Sequence, residues 1–130
     1  MKIHELLFEN STPQLVPVES FNYNDTDDEY LYHVTSLPNA TKIAASGFGR
    51  GKPMFNHGVY ANYSKGKIFF TDRSGVEYWE EKVENQLFDK FDDPPPVGIV
   101  RVLKSSLGNK LHPDEIGTQD SKHPAWWIAA

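Results

Sequence analysis

Three consecutive prolines, Pro94 to Pro96, are followed at once by Val97-Gly-Ile-Val-Arg-Val-Leu103, and no other stretch constrains the fold as tightly. Proline removes a backbone donor and clashes with a preceding helical turn, so whatever comes before must stop there. The β-branched run that follows then reads as a strand. Tyr30-Leu-Tyr-His-Val34, Lys67-Ile-Phe-Phe-Thr71 and the closing Ala125-Trp-Trp-Ile-Ala129 have the same character. In the first of these, period 2 turns Tyr30, Tyr32 and Val34 one way and Leu31 and His33 the other.

Two helices are expected between the strands. Ser36 caps one that begins near Pro38, carries Ala40, Ile43 and Ala44 as its apolar stripe and ends at Gly47, with Phe48 folding back. Asp72 or Ser74 caps the other, from about Val76 to Phe88, with Val76, Trp79, Val83 and Leu87 on one face. Residues 49–66 hold four glycines and read as a long loop, with a short strand possible at Val59-Tyr-Ala61; residues 104–124 read as polar loop. Residues 3–9 suit one or two amphipathic turns, and 10–29, rich in Asn, Asp, Ser, Thr and Pro, read as linker. The expectation is an α+β chain with a leader and acidic linker over 1–29 and one domain over 30–130.

At 130 residues a second core would leave neither half enough apolar surface to bury. The 13% aromatic content supplies the packing that a disordered chain lacks. With no cysteine, disulfides, thiolate metal sites and a cysteine nucleophile are excluded. No apolar run approaches the roughly 20 residues that span a bilayer, and the first residues lack a secretory pattern, so a cytoplasmic protein without membrane partners is expected. The net charge of −5 argues against a general nucleic-acid binder. Residues 42–73 nevertheless carry six bases against Asp72 alone, which suits either a small anionic ligand or a solvated basic face.

Familiar catalytic patterns are missing. The five histidines show no paired spacing for a metal, no Gly-x-Ser-x-Gly elbow occurs, and Gly47-Phe-Gly-Arg-Gly51 lacks the ending of a phosphate loop. The informative stretch is 30–82. It runs from Tyr32-His-Val-Thr35 through a capped helix closing on Ser46-Gly-Phe48 and a Gly-rich loop to Gly66-Lys-Ile-Phe-Phe-Thr-Asp72 and a helix opening Val76-Glu-Tyr-Trp79. In that order these motifs resemble the ADP-ribosyltransferase superfamily. The likeness is to its His-Tyr-Glu branch of poly-ADP-ribose polymerases, to the RNA 2′-phosphotransferases and to small phage-encoded members; the short leader also resembles those of tailed-phage proteins, some of them packaged in the virion.

The resemblance implies an ADP-ribosyltransferase-like split β-sheet core with two short helices and long loops, and NAD as substrate. His33 then matches the residue that holds the nicotinamide-side ribose; its alternative is a core histidine satisfied by backbone. Thr35 matches the hydroxyl two positions on, while Phe69, Phe70 and Thr71 line the site, Phe69 standing where the pattern has Tyr. Tyr78 matches the ring that stacks on nicotinamide, and Arg50 sits where a cation meets the pyrophosphate. The late glutamate of the pattern has no counterpart before Ala125; Asp120, Gln119 and Glu115 are the nearest substitutes, with Asp120 or Gln119 standing in for it.

The activity so implied is transfer of ADP-ribose from NAD to a macromolecular acceptor, a host or virion protein sooner than a nucleic acid. A second reading from another class is a catalytically degenerate member that binds a protein or nucleotide, supported by Phe69 and the missing glutamate. A third, NAD-dependent RNA 2′-phosphotransfer, needs more positive charge to grip RNA than this chain carries.

Overall fold

The computed structural model describes residues 13–23, 29–48 and 66–129. Its strands are β1 (Gln14–Val16), β2 (Tyr30–Ser36), β3 (Lys67–Thr71), β4 (Val97–Leu103), β5 (His112–Pro113) and β6 (Ala125–Ala129). The helices are α1 (Leu37–Ser46), α2 (Val76–Lys90), α3 (Lys104–Leu107) and α4 (Glu115–Ser121). The fold is mixed α and β, with a six-stranded sheet in the order β1-β4-β2-β3-β6-β5 and every neighbouring pair antiparallel.

One junction differs from the rest. β2 and β4 share seven register pairs and β3 and β6 share five, whereas β2 and β3 meet at the single pair Tyr32↔Thr71. The sheet is therefore two ladders joined at one rung.

Helices cover both faces. On one, Tyr32 packs with Phe21, Ile99 and Val76, the first residue of α2. Val83 and Leu87 continue that buried stripe, while Trp79 is only half-buried and its Nε1 finds no partner among the described residues. On the other face, α1 sets Ala40 and Ile43 against Val100, and Leu31, Phe70 and Val102 form the adjoining cluster. Gly98 is what lets α1 approach: a Cβ there would stand 2.6 Å from Ala40 Cβ and 2.8 Å from Leu37 Cα.

α1 starts at its expected cap, whereas α2 follows Gly75, which makes no side-chain cap bond, and Asp72 caps the short 3-10 turn Arg73–Gly75 before it. The Ser36 hydroxyl accepts from Asn39 N, and Gly47 closes α1 at φ 85°. Asp72 Oδ1 accepts from Gly75 N in the turn that leads into α2.

Two expectations are corrected. There are four helices among the described residues rather than two, because 104–124 is not a plain loop. It holds α3, β5 and α4. Periodicity gives no hint of α4, whose Glu-Ile-Gly-Thr-Gln-Asp-Ser has no apolar stripe; local polar bonds organise it instead. The buried Asp114 carboxylate accepts from Gly117 N at 2.9 Å, and Ser121 Oγ donates to Gly117 O at 2.7 Å.

The sheet also begins before residue 30, where composition alone would start it. β1 pairs with β4, Phe21 is buried, and Arg73 ties this segment down by donating to Asn22 O and lying 4.5 Å from the Phe21 ring centroid. Too few apolar residues stand together over 13–23 to signal this; cross-chain contacts make the strand. The expected strand at 59–61 lies outside the described residues. No helix among those described is long and apolar enough to cross a membrane.

Candidate functional site at the β2–β3 seam

Where β2 and β3 part, the His33 ring fills the opening. Its Nδ1 lies 2.7 Å from the backbone oxygen of Phe69 on the facing strand. A carbonyl only accepts, so Nδ1 carries the proton and the neutral ring keeps a lone pair at Nε2. Phe48 meets the imidazole edge-on, with centroids 5.5 Å apart, and Phe70 lies tilted at 5.9 Å. Burial among these rings holds the His33 pKa below its ordinary 6.5, opposed by the bond to Phe69, which favours the charged form. The residue is nonetheless only half-buried. The backbone-satisfied alternative thus describes Nδ1, and Nε2 is left over.

A testable pH dependence follows. The folded ring binds a proton more weakly than the unfolded chain does, so the stability tied to it is intact above pH 6.5 and declines as the pH falls below that value. Glutamine at position 33 retains an amide donor for Phe69 O without titrating. Melting temperatures of the wild type and His33→Gln, compared from pH 7.5 to 5, should show the steeper acid loss in the wild type; parallel curves would refute the assignment.

The other expected residues distribute unevenly. Thr35 shares the His33 face and is buried, its hydroxyl accepting from Asn39 Nδ2 at 3.0 Å, which ties β2 to α1. Phe70 touches His33 directly. Phe69 supplies the carbonyl while its ring lies on the opposite face, in register with Trp127. Thr71 is buried, and its hydroxyl donates to Pro124 O at 3.4 Å.

Tyr78 belongs to α2, the layer on the Tyr32 face. Its ring stands edge-on to Trp79 at 5.0 Å, with Lys82 Nζ 5.7 Å from its centroid. No ring contact among the described residues joins it to His33. Gln119 and Asp120 are exposed on α4. Arg50 lies outside the described residues.

Two side-chain arrangements escaped sequence reasoning. Phe48 signals only a helix cap, yet it walls the His33 ring. Asp72, Ser74 and His123 also converge: Ser74 Oγ donates to Asp72 Oδ1 at 2.5 Å and lies 3.0 Å from His123 Nδ1. The serine proton points at the carboxylate, so the imidazole donates to the serine oxygen instead of removing its proton. That is the wrong direction for nucleophile activation.

Comparison with family models, curated proteins and solved structures finds no match for this chain.

Proposed function

We propose that this protein binds a ribose-bearing nucleotide of the ADP-ribose class at the β2–β3 seam and holds it without transferring it. On this reading the chain is a degenerate relative of the ADP-ribosyltransferases. The observation that carries it is the His33–Phe69 bond, which fixes the ring at the parting of the strands with Nε2, unbonded among the described residues, left to accept from a ribose hydroxyl.

Binding is favoured over transfer by what surrounds that ring. Breaking the glycosidic bond of NAD develops positive charge, and a nearby anion is the usual means of stabilising it. Burial and the Phe69 carbonyl set the His33 environment, and no carboxylate among the described residues contributes to it. Gln119 and Asp120 face solvent, and Tyr78 belongs to the layer on the far side of the sheet.

NAD and ADP-ribose added to the full chain are the test, with melting temperature and released nicotinamide both followed. A ligand held at 100 times its Kd stabilises the native state by about 2.7 kcal/mol. Both compounds should raise the melting temperature of the wild type, His33→Ala should abolish the shift, and no nicotinamide should appear. Release of nicotinamide, or label transferred to a macromolecule, would restore the transferase reading. A melting temperature indifferent to both compounds overturns the proposal.

A further inference from the structure

Away from the seam, β1, the following turn, α2 and the proline segment enclose an apolar groove of about 820 Å³. Leu15, Val16, Leu87 and Phe88 form its floor and sides, and Pro17 and Pro94 to Pro96 stiffen its wall. The groove is open to solvent along its length: of its lining residues, Phe88 is 60% exposed and Leu15 41%. Isolated exposed hydrophobics are ordinary; several around one concavity mark a contact surface.

The charge around the groove is of one sign. Glu19, Glu80 and Glu84 line it, and among the described residues no Lys or Arg does. Glu80 is held by the Tyr23 hydroxyl, while Glu19 and Glu84 are exposed.

We infer that this groove docks a basic, amphipathic peptide segment of a partner protein, with apolar side chains seated between β1 and α2 and Lys or Arg on the three glutamates. Three features select that occupant. An open groove with exposed apolar side chains on its walls suits a chain segment better than a compact small molecule. The acidic rim attracts cations and repels a second copy of this chain, since a two-fold contact would bring Glu19 and Glu84 of both copies together. The proline wall is rigid before binding, so little ordering is lost when a peptide enters.

Fluorescence anisotropy on the full chain tests this with three labelled synthetic peptides: a Leu/Lys amphipathic helix, its Leu/Glu counterpart and a Ser/Lys peptide of equal charge. The Leu/Lys peptide should bind at least about tenfold more tightly than either control, and more weakly in high salt as the charge pairs are screened. Glu19→Lys with Glu84→Lys should reverse the preference toward Leu/Glu. Phe88→Ser should weaken binding about tenfold; its exposed position leaves the neighbouring buried Leu87 in place, and an unchanged melting temperature verifies that the variant folds. Glu115→Lys, on exposed α4, is the control for general charge and should leave the affinity as it is. Equal binding of the Leu/Lys and Ser/Lys peptides, or indifference to both groove variants, overturns the inference.

Discussion

Tyr32→Ala is expected to remove about 3–5 kcal/mol of folding stability, the range for deleting a large buried ring. Tyr32 is 1% exposed and stands at the one rung joining the two ladders. Its ring meets Phe21 edge-on at 5.5 Å and packs with Val76 and Ile99, so the cavity would open between the sheet, α2 and the N-terminal segment together. Its hydroxyl accepts from Arg73 Nη1 at 2.7 Å. Tyr32→Phe separates the two contributions: it keeps the ring and removes a charge-assisted bond worth about 1.5–3 kcal/mol. Against the roughly 5–15 kcal/mol typical of a whole domain, the alanine variant loses about a fifth or more. Urea denaturation should show the midpoint falling at constant slope, further for alanine than for phenylalanine. Equal midpoints for the two variants would mean that the ring itself contributes little.

Gly98→Ala is expected to destabilise by about 1–3 kcal/mol, the cost of overpacking a close-packed layer. Alanine ordinarily gains on glycine in a strand by limiting the unfolded chain, so a loss here must come from crowding. The new methyl would press on Ala40 Cβ and on the backbone of Leu37. Ala40→Gly in the same chain relieves the first contact and leaves the second. A double-mutant cycle should therefore return a favourable coupling that falls short of full rescue. Melting temperatures would read it, at roughly 3–5 °C per kcal/mol for a chain of this size. A stability gain in Gly98→Ala would show that α1 can lift away at no cost.

Legibility followed the length scale of the interaction. The main strands and both long helices are visible in the chain because their causes are local: β-branched runs, Ser36 and Asp72 as caps, Gly47 as a stop. Elements held by distant partners are not. β1 is three residues whose order comes from pairing with β4 and from Arg101, which donates to Gln14 Oε1 and lies over Tyr30. α4 rests on its own polar bonds.

The same division runs through the candidate site. Alternation along β2 puts His33 and Thr35 on one face, as the structure has them. It carries no information about the sheet parting beside His33, nor about Phe48 returning to wall the ring. Nor does the apolar stripe of α2 say which face of the sheet that helix will cover. The answer sets Tyr78 apart from the imidazole it was expected to join.

The lone rung at Tyr32 and Thr71 gives the molecule a mechanical character of its own. Each half is cross-braced by its own strands, and between the halves side chains take over from backbone pairing. The bond from His33 to the Phe69 carbonyl and the packing of Phe70 against Leu31 and Val102 carry across that junction what the backbone ladder does not.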